Sequence, residues 1–258
     1  MFGLARGLRR AYDPVPPGQG DWDGMTFDKY ATSGAYHWRE CDRASRDYNP
    51  PLVARYDAVV RRVPTGARVL DVGSGDGYLT GRLSAICAEA IGIEPEAEGI
   101  ALAKGMLADR ANVTIIQGSC YELPFPARAF DAVVMADVVE HLEHPLRAVS
   151  EMARVLKADG VALISTPHWR PDRIWDARHK HEYTAGELHN LLGGDFASVS
   201  LHFCWPRFWS DLYRTPIGWR LLRTAGRMGF NPFADESHSP REHCQIIAVC
   251  SGPRSEAS

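Results

Sequence analysis

No Gly-Lys pair occurs anywhere in this 258-residue chain, and no two of its six cysteines are spaced C-x-x-C. Nor does any apolar run approach the roughly 18 residues that a membrane-spanning helix needs. The first absence removes a phosphate loop of the G-x-x-x-x-G-K-[ST] form, and with it ATP binding by that route. The second makes Cys41, Cys87, Cys120, Cys204, Cys244 and Cys250 reduced, mostly buried thiols. The opening stretch MFGLARGLRRAYDPVPPGQG is basic but lacks the apolar centre and cleavage pattern of a signal peptide, so a cytoplasmic protein is expected. A net charge of only −3 argues against a nucleic-acid platform as the protein's whole business. Apolar content of 45% is enough for a full core.

What is present is organised around residues 68–80, RVLDVGSGDGYLT. Val69, Leu70 and Val72 surround Asp71 and run into Gly73, Gly75 and Gly77, after which helical spacing resumes. This predicts a buried strand, a tight glycine turn and a helix start. Glycines there let the backbone approach a ligand closely and reach positive φ cheaply, so a ligand is expected at the strand's carboxyl end. The dinucleotide fingerprint wants G-x-G-x-x-G, whereas here the third glycine comes one residue early and Tyr78 takes its place. A nicotinamide-dependent oxidoreductase is therefore the alternative reading rather than the leading one.

The remaining pattern, D-x-G-x-G-x-G with an acid in the strand end, resembles motif I of the class I S-adenosylmethionine-dependent methyltransferases. Asp71 fits a cofactor with a cationic ammonium and sulfonium, where it would repel a pyrophosphate. Glu94 ends the predicted second strand, and a carboxylate there accepts both hydroxyls of a ribose or else serves as a helix N-terminal acid. Residues 118–125, GSCYELPF, resemble the family's adenine loop, with Ser119 standing where the family usually has an aspartate. The resemblance implies S-adenosyl-L-methionine held by Asp71, Gly73, Ser74, Gly75, Gly77, Glu94, Ser119, Cys120 and Asp137. It is nearest to the O-methyltransferases of ubiquinone biosynthesis, where a carboxylate, two apolar residues and Glu-His stand as Asp137 to His141 do here. If a helical turn begins at the fourth strand's end, Asp137, Glu140 and His141 share one face. Such a face is scaffold, a general base in His141, or a divalent-cation site; the metal question stays open at this level. His179 and His181 match no zinc spacing and are taken as solvated loop residues.

Along the chain, residues 1–24 are expected to be flexible and 25–65 to form a helical cap. Residues 66–204 form the core of a doubly wound α/β Rossmann-like fold, implied to carry a seven-stranded sheet. A helix with the apolar stripe Leu146, Val149, Ala153, Leu156 is expected to stop at a C-cap at Asp159-Gly160. Thr184 and Glu187 have capping-box form. The aromatic, arginine-rich segment 205–240 is expected to be a lid insertion, and 241–252 a last strand. The function implied is methyl transfer to a hydroxyl or amine of a small molecule, for example a sugar, quinone, polyketide or amine. A non-catalytic S-adenosylmethionine-binding module is a further alternative. No nucleic-acid partner and no membrane contact are expected, and oligomeric state has no signal in the sequence.

Overall fold

The computed structural model describes residues 29–172, 176–237 and 239–254. The flexible segment expected over 1–24, and the first residues of the cap, lie outside the described residues. The elements in chain order are α1 (Lys29–Ser33), α2 (Tyr36–Cys41), α3 (Pro50–Val60), β1 (Arg68–Val72), α4 (Tyr78–Ser84), β2 (Glu89–Glu94), α5 (Ala97–Met106) and β3 (Val113–Gln117). There follow β4 (Phe130–Ala136), α6 (Pro145–Val155), β5 (Leu156–Pro167), α7 (Ala185–Gly193), β6 (Phe196–Pro206), α8 (Arg207–Tyr213), α9 (Pro216–Arg227) and β7 (His243–Pro253).

The strands form one sheet in the order β3-β2-β1-β4-β5-β7-β6. β1 to β5 pair in parallel, whereas β7 runs antiparallel to both β5 and β6, so the sheet is mixed rather than purely parallel. Strand order reverses between β1 and β4. In an open α/β sheet the crevice outside the carboxyl ends at such a reversal is where ligands bind. The loops after β1 and β4 both open there.

Burial on both faces explains why the central strands read as near-continuous apolar runs. One face packs on α6 and α7 through Val149, Met152, Leu188 and Leu192. The other packs on α3 and α4 through Leu52, Val53, Tyr56, Val59, Leu79 and Leu83. Helix α3 starts where Asn49 accepts from Leu52 N and Pro50 and Pro51 fill the first turn. It packs directly on the sheet as part of the core layer. The capping box at Thr184 and Glu187 forms as expected and opens α7.

The boundary after α6 differs from the expectation. The helix ends at Val155, because Leu156 turns extended and pairs with Phe130 as the start of β5. Gly160 is then a strand glycine at a close approach: a Cβ there would lie 2.9 Å from the Asp131 carbonyl. The buried stripe is Ala148, Val149, Met152 and Ala153, and Leu146 faces outward.

Candidate active site

The loop after β1 is built on three glycines, Gly73, Gly75 and Gly77, with φ of 76°, 54° and 77°. Only glycine adopts this region without strain. Gly73 N and Ser74 N donate to the Ile93 carbonyl at 2.9 and 3.1 Å, which ties the loop to β2. Space is restricted as tightly as φ. A Cβ at Gly73 would lie 2.5 Å from Val138 Cγ2, one at Gly77 would lie 2.8 Å from Ala103 Cβ, and one at Gly75 would overlap the Tyr30 hydroxyl.

Glu94 closes this cradle. Its Oε2 accepts from Gly75 N at 2.9 Å and its Oε1 from Glu96 N at 3.0 Å. Burial pushes its carboxyl up to about 7 against those two hydrogen bonds. A desolvated carboxylate in that state gains from further donors such as a pair of ribose hydroxyls. Ser74 Oγ, buried in the same loop, has no hydrogen-bond partner. The positive-φ backbone and a Glu94 carboxylate with acceptor capacity left beyond its two backbone donors fit a nucleoside cofactor bearing hydroxyl groups.

The residues around the loop separate into three kinds. Asp71 does not face open space: its carboxyl accepts from Thr80 Oγ1 at 2.6 Å inside the fold, and burial raises it to about 7. Thr80, in the first turn of α4, thus holds the side chain that the sequence places beside the cofactor's charges. Ser119 Oγ accepts locally from Tyr121 N at 3.0 Å. The neighbouring Cys120 thiol is pushed up to about 12 by burial and stays protonated.

The sequence places a helical cap over 25–65, but not the contacts by which its first two helices cover the glycine loop. His37 donates through its backbone N to Asp76 Oδ2 at 3.0 Å, and its Nδ1 pairs with Oδ1 at the same distance. Trp38 Nε1 donates to the Asp76 carbonyl at 2.8 Å, and Tyr30 N donates to Glu96 Oε1 at 3.1 Å. Helices α1 and α2 thus clamp both ends of the cradle. Two open concavities lie elsewhere: one is lined by Pro64, Asp131 and Gly160 at the amino end of the sheet, the other by Leu142, Lys180 and Asn190.

The loop after β4 departs from the expected helical face. Asp137 adopts a φ of 53°, and only Val139–His141 form a single 3-10 turn. Asp137 pairs with Arg55 of α3 and accepts from Ser165 Oγ and Gln245 Nε2, both at 2.7 Å. Its side chain therefore lies across β5 and β7 and is engaged by the protein's own donors. Glu140 is only 1% exposed and accepts from Thr166 Oγ1 at 3.1 Å. Burial and then the nearby Asp137 push its carboxyl well above the usual range.

His141 points elsewhere. Its Nδ1 lies 3.0 Å from the Arg178 carbonyl, an oxygen that only accepts, so Nδ1 carries the proton and Nε2 keeps its lone pair. Burial lowers its pKa below the ordinary value and outweighs that hydrogen bond. The His179 ring stands 4.8 Å away, its Nδ1 held by Glu182 at 2.8 Å, so His179 is part of the edge and not a solvated loop residue. Glu140, His141 and His179 each bring one potential ligand atom within 4.8 Å of the others. Lys29 stands over the Tyr36 ring at 4.8 Å, with Arg55, Arg178, Asp137 and Glu140 as its charged neighbours and no ion-pair partner among the described residues.

Comparison with known proteins fits this geometry. Residues 70–164 match the family model described as a methyltransferase domain. A Mycobacterium tuberculosis protein named "probable S-adenosylmethionine-dependent methyltransferase" is 31% identical over 146 residues, covering 54% of this chain and 52% of that protein. An uncharacterized methyltransferase of Bacillus subtilis, YcgJ, is 35% identical over 142 residues, covering 50% of this chain and 56% of its own length. The chain thus spans about half the length of the curated relatives it matches. The solved structure of YcgJ covers 79% of this chain with a TM-score of 0.57 at 21% identity, and a Pyrococcus horikoshii protein covers 89% with a TM-score of 0.61 at 16% identity. At these identities the structural likeness concerns the fold. With motif, fold and relatives in agreement, residues 70–164 of this chain form a methyltransferase domain similar to those of S-adenosylmethionine-dependent methyltransferases.

Proposed function

We propose that this protein transfers a methyl group from S-adenosylmethionine to a hydroxyl of a small molecule, with His141 as the general base. The observation that carries the reading is the neutral His141 tautomer, its Nε2 free to accept, at the same sheet edge as the glycine cradle. The bound sulfonium supplies an already activated methyl group. The chain's own work is then positioning, exclusion of water and removal of one proton.

Gly73 to Gly77 and Glu94 hold the nucleoside end, while Tyr30 and the His37–Asp76 contact keep water from the loop. His141 Nε2 takes the acceptor's hydroxyl proton as that oxygen attacks. The imidazolium so formed is stabilised through Nδ1–H on the Arg178 carbonyl. Lys29, which makes no ion pair among the described residues, supports the developing negative charge on the acceptor oxygen. Glu140, buried beneath the loop, serves as structure: its carbonyl accepts from Lys180 N and His181 N and holds the 176–183 loop against His141.

The test is mass spectrometry across a panel of hydroxylated and amine metabolites incubated with protein and S-adenosylmethionine. A net gain of one CH2 on a hydroxyl is the expected result. Transfer confined to amines would remove the need for a base and overturn the role of His141.

A further inference from the structure

Six of the eight large apolar side chains that stand exposed among the described residues fall within 23 residues of one another: Phe208, Ile217, Trp219, Leu221, Met228 and Phe230. They occupy α8, α9 and the turn that follows. In a helix advancing 100° per residue, Ile217, Leu221 and Met228 lie within about 40° of one another. Their exposures of 73%, 61% and 84% put that stripe on the solvent side.

The stripe is not core that failed to find a partner. The inner face of α9 is already seated through Leu222, which packs with Ala54 and Phe233, and through Gly218 and Gly226. A Cβ at Gly226 would lie 3.0 Å from the Tyr48 ring, and one at Gly218 would overlap the Leu212 carbonyl. The helix is thus set down closely by small residues on one side and shows leucine, isoleucine and methionine on the other. A surface helix of a globular domain has the opposite arrangement.

Charge gives the occupant. Residues 207–230 carry five arginines against a single aspartate, in a chain whose net charge is −3. Asp211 is engaged by Arg207. Arg214 and Arg220 are exposed and make no ion pair among the described residues. Arg220 and Arg227 each precede a residue of the stripe by one position and so flank it on the same side. Arg223 is buried beneath Trp219, 4.2 Å from its ring, which fixes the indole at the surface. Apolar stripe, interfacial tryptophan and flanking arginines together form the pattern that lies in the boundary between anionic headgroups and acyl chains.

We infer that α8, α9 and the following turn dock this protein on an anionic membrane surface, with Ile217, Leu221 and Met228 entering the headgroup boundary and Arg214 and Arg220 meeting the headgroups. Helix α8 begins directly after β6, and β6 runs in the same direction as β5, because both pair antiparallel with β7, and so in the same direction as β4 and β1, which pair in parallel with β5 and with each other. Docking through α8 therefore brings the bilayer to the carboxyl edge of the sheet, where the glycine loop opens. An acceptor dissolved in the membrane would have a short path to that edge. The inference departs from the sequence-based expectation of no membrane contact, because composition alone does not reveal that the stripe faces outward. It does not rest on the methyl-transfer reading.

Sedimentation of the full chain with vesicles tests it, comparing phosphatidylcholine alone with phosphatidylcholine containing phosphatidylglycerol. The expected result is binding to the anionic vesicles that weakens with added salt, and little binding to the neutral ones. Leu221→Asp with Met228→Asp, and separately Arg214→Glu with Arg220→Glu, should each lower partitioning roughly tenfold or more. All four positions are exposed, so unchanged circular dichroism and unchanged S-adenosylhomocysteine affinity accompany that loss. Failure of the full chain to bind anionic vesicles would overturn the inference, as would binding indifferent to both pairs of substitutions. A dimer in sedimentation velocity that Leu221→Asp with Met228→Asp dissolves, with no vesicle binding, would assign the face to a second copy instead.

Discussion

The loops after β1 and β4 meet at the same reversal of strand order, yet they are held by different means. The first is set by near neighbours in the chain: glycine backbones at positive φ and a carboxylate 19 residues away. The second is set by partners far away, with Arg55 lying 82 residues before Asp137, Gln245 108 residues after it, and Arg178 37 residues after His141. A conformation that only glycine tolerates announces itself locally. Which of several donors a carboxylate will choose does not, because the choice depends on packing of the whole sheet.

If that contrast is right, breaking each loop should have a distinct signature. The largest expected effect is on stability, at the second loop. Arg55→Ala leaves the half-buried Asp137 without its cation and should cost up to about 3 kcal/mol in a denaturant melt. Arg55→Met combined with Asp137→Leu, which removes both charges, should cost far less. Equal losses in the two variants would mean that the ion pair is not what orders the loop.

At the first loop the expected effect is on binding. Gly75→Val forces a β-branched residue to positive φ and into the Tyr30 hydroxyl, and should weaken S-adenosylhomocysteine binding by roughly two orders of magnitude or more. Calorimetry on a folded variant checks this. Returning to the second loop, His141→Ala should lower turnover by about 100-fold while sparing cofactor affinity. Its wild-type acid limb should fall below the 6.5 of a free histidine, because burial lowers its pKa. Chelators should leave activity unchanged if His141 acts as base, whereas loss restored by magnesium or manganese would hand Glu140, His141 and His179 to a metal.

The smallest expected effect is a pH dependence at the first loop. The Glu94 carboxyl titrates near 7 in the fold, against 4.5 for a free glutamate, so the folded state binds the proton more tightly. Its contribution to stability without ligand is complete below about 4.5 and is lost as pH rises through about 7. Ribose hydroxyls favour the ionised form. Cofactor affinity should therefore rise by roughly tenfold between about pH 6 and about pH 8, with proton release on binding, and Glu94→Gln should flatten that rise.

Particular residues show what the sequence makes legible. The strand, glycine turn and helix over 68–84, the capping box at Thr184, and the strands around 113–117 and 130–136 follow from period, propensity and cap chemistry, which act over a few residues. The end of α6 is not legible locally, because Asp159-Gly160 has C-cap form while Leu156 gains more by pairing with Phe130 in the sheet. The antiparallel setting of β7 leaves no mark on a fully buried strand. Arg55 carried a signal that was passed over: it lies between Leu52 and Val59 on a buried helix face, where an unpaired charge is too costly to keep. Tyr30, His37 and Lys29 carried none, since their partners are fixed only when α1 and α2 fold over the loop.

The most direct test of the account is calorimetric titration of S-adenosylhomocysteine into the wild-type protein and into Glu94→Ala. Loss of hydrogen bonds to a charged group predicts binding weakened by about 1.5–3 kcal/mol, with the fold unchanged. Equal affinity for the two proteins, or no binding by the wild type, would contradict the assignment of the glycine loop and Glu94 as the cofactor cradle.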